Sequence, residues 1–146
     1  MRKWLMAAAV LTLAASSAFA FTTEQAARGQ QLFSQHCAGC HGAQGQGGKV
    51  PAQFEGMAGW EAPAVVGKGA LPERPPASRK VRRTEFRTAA DVYQFAKSAM
   101  PAQSPGSLSD RDYLDIVAFD LRANGVKPDG RPLTAESAAQ AGLPAP

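Results

Sequence analysis

The stretch FSQHCAGCHG, Phe33 to Gly42, holds both cysteines and both histidines of the 146-residue chain. Cys37, Cys40 and His41 stand at the CxxCH spacing. Two thiols at that distance can add across the vinyl groups of a haem, and the next residue offers an imidazole to the iron. The histidine must follow the second cysteine directly, because the thioethers pin one porphyrin edge to the chain and only the adjoining residue reaches the metal. Cys37 and Cys40 are therefore the candidate covalent haem attachments, and His41 the candidate axial ligand.

Other readings of these residues fit less well. A redox dithiol of the thioredoxin kind sits in a strand-to-helix turn, and nothing before Cys37 reads as a strand. A structural zinc site takes four ligands, and His36, adjacent to Cys37, is badly placed to share a tetrahedron. A plain disulfide would also consume both thiols. His36 is read as a surface residue. The glycine-rich run from Gly42 to Gly48 misses both phosphate-binding patterns: Ala43 and Val50 stand where a Walker loop needs glycine and hydroxyl.

Residues 1–20 read as a cleaved signal peptide, with Arg2 and Lys3 before an apolar run and Ala18-Phe19-Ala20 as the cleavage site. Retention of that run as an anchor is the alternative; no later segment is apolar enough to span a bilayer. The expected location is the periplasm. Residues 21–125 are expected to form one small domain, whose marginal core a buried porphyrin would enlarge, and 126–146 a tail rich in Pro, Gly and Ala. After removal of the signal, fourteen Lys and Arg face twelve Asp and Glu. The charge is segregated. A Pro-rich loop at 68–87 carries seven bases against Glu73 and Glu85, while the rest of the mature chain is net negative. That loop is a candidate docking site for an acidic partner through one-sided charge, and nucleic acid is not expected.

Helical patterns place the remaining elements. Thr22 with Gln25 signals a capped helix to about Gln35, with Ala26, Gly29, Phe33 and Cys37 on one face. Gly29 in mid-helix implies a close approach by another backbone or ring. Prolines break any long helix between Pro51 and Arg87, where Trp60 is expected to pack on the haem or core. Thr88 with Asp91 opens a second helix that stops at Met100, because Pro101 disfavours helical geometry before it. Ser109 with Asp112 opens a third, closed by Asn124 and Gly125, with Leu108 and Tyr113 placed as a hydrophobic staple. Arg111, Asp115 and Arg122 form its one polar stripe, so the rest of its circumference should pack on more than one neighbour. A short helix around Thr134 to Ala141 is weakly signalled.

For the second axial position, Met100 is preferred over Met57: the following proline takes the chain out of helix and leaves the thioether able to point at the metal. A His and Met pair raises the reduction potential relative to two imidazoles. With both axial positions filled, substrate has no coordination site. The expectation is an electron carrier, not an enzyme.

Over Thr22 to Gly125 the chain resembles class I c-type cytochromes: Gly29 and Phe33, Cys37, Cys40 and His41, Met100-Pro101, and Phe119 in the last helix carry the likeness. The resemblance implies an all-α, small cytochrome c-like domain of about three main helices around one covalent haem c, with long irregular loops and crossing first and last helices. The stretch from Met100 to Gly125 is also similar to monohaem cytochromes that serve exported dehydrogenases. The implied partners are a periplasmic dehydrogenase as donor and another cytochrome or terminal oxidase as acceptor. A dedicated subunit of a quinoprotein alcohol or sulfite dehydrogenase complex, and a haem-based gas or redox sensor, are the alternatives.

Overall fold

The computed structural model describes residues 21–67, 70–71 and 85–144. The signal segment and most of the basic loop lie outside the described residues. Among the described residues, five helices and one two-stranded hairpin appear in chain order: α1 (Thr23–His36), α2 (Ala38–His41), β1 (Gly48–Lys49), β2 (Glu61–Ala62), α3 (Ala89–Ala99), α4 (Asp110–Ala123) and α5 (Ala135–Ala138). The expected all-α domain is observed; α1, α3 and α4 are its main helices. No helix among the described residues is long and apolar enough to cross a membrane.

α1 and α4 cross at Gly29. A Cβ there would sit 1.8 Å from the backbone oxygen of Asp115, so glycine is the one residue that permits this approach. One turn on, Phe33 meets Phe119 with ring centroids 5.1 Å apart. The close approach expected at Gly29 is thus made by backbone, and the late aromatic packs on Phe33 instead.

All three caps of the main helices are at the expected residues. Thr22 Oγ1 accepts from Gln25 N at 3.0 Å. Asp91 accepts from the backbone N–H groups of Arg87 and Thr88. Ser109 and Asp112 bond reciprocally, the full capping box. The box at Thr22 is only half made, because the Gln25 side chain has a tertiary partner instead. Its Nε2 donates to Leu133 O at 3.0 Å and its Oε1 accepts from Leu133 N at 2.8 Å.

That clasp begins a strap. Residues 126–144 return across the helices, with Val126, Leu133, Ala138 and Ala141 buried in the core cluster. Backbone bonds from Asp129 N to Phe21 O, Ala89 N to Ala141 O and Leu143 N to Arg87 O fasten it at three further places. The residues read as a tail therefore complete the core. Both bonds of Gln25 are buried, and removing one partner of a buried bond leaves the other unsatisfied. Gln25→Leu is expected to destabilise the fold by about 1–3 kcal/mol per orphaned group, checked by denaturant unfolding. Limited proteolysis should then cut first near Leu133.

α4 is buried around most of its circumference, by α1, α3 and the strap, as its sequence implied. Asp115 departs from the expected polar stripe. It is 1% exposed, and Arg28 reaches over it with Nε at 2.9 Å from Oδ2. Gly29 brings the helices so close that this face of α4 cannot meet water, and the carboxylate takes its partner from α1.

Candidate haem site

The site is built on the end of α1. The Cys37 N–H still bonds to Phe33 O at 2.8 Å, and His41 N bonds to Cys37 O at 2.9 Å, so the cysteines and His41 share the single turn of α2. Gly42, at φ +81, lets the chain leave that turn. Gly47 N then bonds to His41 O at 2.7 Å.

The His41 ring is oriented from the far side. Its Nδ1 lies 2.8 Å from Pro63 O. A carbonyl only accepts, so Nδ1 carries the proton, and the lone pair that an iron requires is on Nε2. Pro63 is held in turn: Val65 N and Val66 N bond to Gly45 O, and Asn124 spans to Val65 O at 2.8 Å and Gly67 N at 3.0 Å. The end of α4 thus fixes the loop that fixes His41.

Met100 ends α3 in extended conformation, φ −128 and ψ 153. Its N–H bonds to Ala96 O at 2.9 Å, and its carbonyl accepts from Tyr113 Oη at 2.6 Å. The backbone is held on both sides, and the side chain is half-buried. Gln103, three residues on, brings Nε2 within 4.0 Å of Cys40 Sγ. A cleft of about 280 Å³ separates α2 from this segment, lined by Cys40, Gly39, Phe54, Pro101 and Gln103 among others. Met57 is half-buried in the loop between β1 and β2, its N–H bonded to Phe54 O. His36 is exposed and Trp60 half-buried.

The electrostatics of the turn argue against thiol chemistry. Burial, then the Asp120 carboxylate and Cys40, push the Cys37 thiol up to about 12. Burial also raises Cys40, offset in part by its Gln103 bond. Reactive dithiols need the opposite shift. Thiols destined for thioethers have no such requirement once bound. The residues present fit a covalent haem. Two thiols and a ring with Nε2 as its acceptor share one turn, and on α4, next to the Phe119 that packs on α1, Asp120 Oδ1 is buried with no hydrogen-bond partner among the described residues.

Sequence reasoning did not find Pro63, Tyr113, Asn124 or Asp120 as parts of the site. Asn124 was legible only as a helix end, Tyr113 as a staple, and Pro63 as a helix breaker. The cysteine motif, His41 and Met100 are the residues that the sequence alone puts forward.

A small helical fold in which α1 and α4 cross and a CxxCH turn follows α1 defines a class I c-type cytochrome. The chain belongs to the family described as cytochrome c oxidase, cbb3-type, subunit III, which matches residues 24–119. It is also similar to the crystal structure of the sulfane dehydrogenase SoxCD from Paracoccus pantotrophus, with 27% identity and a TM-score of 0.56. That match covers 88% of this chain, which spans 63% of the length of the other. No curated protein matches it.

Proposed function

We propose that this cytochrome is a periplasmic carrier of single electrons, holding one haem c through Cys37 and Cys40, with His41 and Met100 as axial ligands. The observation that carries the reading is the His41 ring, whose Nδ1 proton is taken by Pro63 O, so that Nε2 is left as the acceptor that would hold an iron. A haem bound here supplies a one-electron couple. The chain's own part is to hold His41 and Met100 from rigid elements, so that little rearranges between oxidation states. Its donor is a dehydrogenase and its acceptor another cytochrome or a terminal oxidase. The likeness to SoxCD, a dehydrogenase, supports a second reading, in which the chain is a dedicated subunit of such a complex.

The test is made on haem-loaded protein. Haem should stay with the polypeptide through denaturing electrophoresis, the reduced protein should not bind carbon monoxide, and an exported dehydrogenase should reduce it in a second-order reaction. Release of the haem by acid and organic solvent would overturn the attachment. Ready binding of carbon monoxide would favour a gas sensor. Co-purification with one dehydrogenase at constant stoichiometry would favour the subunit reading over a diffusing carrier.

A further inference from the structure

Among the described residues, Asp120 is the one acid on α4 that its surroundings leave uncompensated. It is 6% exposed. Its Oδ1 has no partner among the described residues, whereas its own backbone oxygen is bonded by Asn124. The contrast with Asp115 is informative. Both are buried on the same helix, but Asp115 is paired with Arg28 and Asp120 with no cation among the described residues. An unpaired carboxylate in a dry site is costly, and a natural fold that retains one commonly uses it.

On the elements packed against α4 the charged groups are exposed or committed elsewhere; on the strap, Lys127 and Glu136 are exposed and Asp129 is paired with Arg131. On α1, Glu24 and His36 are exposed and Arg28 is bound to Asp115. On α3, Asp91 caps Thr88, and Lys97 is paired with Asp110 and lies 6.0 Å from the centre of the Tyr93 ring. Arg122, on α4 itself, is exposed. Cys40 and His41 belong to the haem turn. Phe119, the residue before Asp120, packs on Phe33 with ring centroids 5.1 Å apart, and Phe33 O accepts from the Cys37 N–H, so α4 brings Asp120 to the end of α1 that carries the first haem attachment; its charge also raises the Cys37 thiol. Burial alone holds its proton affinity well above the usual carboxylate range.

We infer that Asp120 takes up a proton when the haem iron is reduced and releases it on oxidation, so that electron transfer through this protein is coupled to proton transfer. The inference rests on the proposed attachment of haem at Cys37. The step balances. One electron arrives from the redox partner, ferric iron becomes ferrous, and one proton from water converts the Asp120 carboxylate to the acid. A negative charge at this place favours ferric iron, and removing one positive charge from the iron raises the proton affinity of the carboxyl. The potential is therefore level at low pH, where the acid is protonated in both states. It falls as pH rises between the two titration points, and is level again, at a lower value, above both.

The experiment is a potentiometric titration of the haem-loaded protein between about pH 4 and pH 10, a span that covers the range to which burial can carry a carboxyl. In the falling region the equilibrium constant for reduction should drop about tenfold per pH unit, equal to about 59 mV. Asp120→Asn keeps the shape and removes the titration, so the fall assigned to Asp120 should vanish. Glu24→Gln, on the exposed face of α1, should retain it. Haem propionates titrate in every variant, so the difference between parent and Asp120→Asn is the quantity that decides. Should Asp120→Asn not fold, infrared difference spectra of the parent serve. A protonated carboxyl band should appear on reduction and shift in heavy water. Identical pH dependence in parent and variant, or no redox-linked carboxyl band, overturns the inference. Failure to take up haem at all would instead overturn the attachment itself.

Discussion

Gly29→Ala is expected to cost at least about 3 kcal/mol, the upper range for forcing atoms into a packed interior. The added methyl would lie 1.8 Å from Asp115 O and 2.4 Å from Asp115 C. Both are backbone atoms in the middle of a helix, so no rotamer change relieves the clash and α1 must move away from α4. Movement there also weakens the Phe33 and Phe119 contact, worth about 0.5–1.5 kcal/mol, and the Arg28 bonds to Asp115. Because α1 runs directly into the CxxCH turn, the damage should reach the site. Denaturant unfolding of the haem-loaded protein checks the size of the effect. A variant of parental stability would mean that the two helices do not cross at Gly29.

Met100→Ala should change the iron's properties more than any other single substitution outside the CxxCH residues. Loss of the thioether is expected to abolish the far-red sulfur-to-iron absorbance of the oxidised protein and to open the reduced protein to carbon monoxide. The potential should fall by a sizeable part of the range of about 0.8 V that axial ligands command. The fold should survive, since Met100 is half-buried and its backbone bonds to Ala96 and Tyr113 do not involve the side chain. Met57→Ala should leave all three readouts unchanged. The reverse outcome, with Met57→Ala active and Met100→Ala silent, would transfer the ligand role to Met57.

What could be read from the chain alone was local. The attachment turn, the three helix starts and the helix end at Met100 each depend on residues within five positions of one another, and each lies where expected. What could not be read depends on residues far apart. Gln25 looks like half of a capping box until Leu133, 108 positions away, claims its amide. Asp115 looks like a solvent-facing acid until the absence of a Cβ at Gly29 draws α1 down onto it. Residues 126–144 have a composition typical of loops, and their burial comes from a few apolar side chains filling gaps that only the assembled helices create. Pro63 orients His41 through a backbone carbonyl, a role that no side-chain pattern announces.

The strap also bears on the order of events during synthesis. Every ribosome delivers Cys37 and Cys40 long before Leu133, so the clasp that closes the fold cannot form until nearly the whole chain has been made. Contacts so distant in sequence form slowly, since a long loop must be closed first. Through that interval α1 has neither α4 nor the strap to pack against, and Cys37 is spared the burial and the Asp120 charge that hold its thiol at about 12 in the finished fold. The thiols are thus most reactive while the polypeptide is young. A haem attached at Cys37 and Cys40, as proposed, would add most readily in that early period, before closure of the fold half-buries both sulfurs.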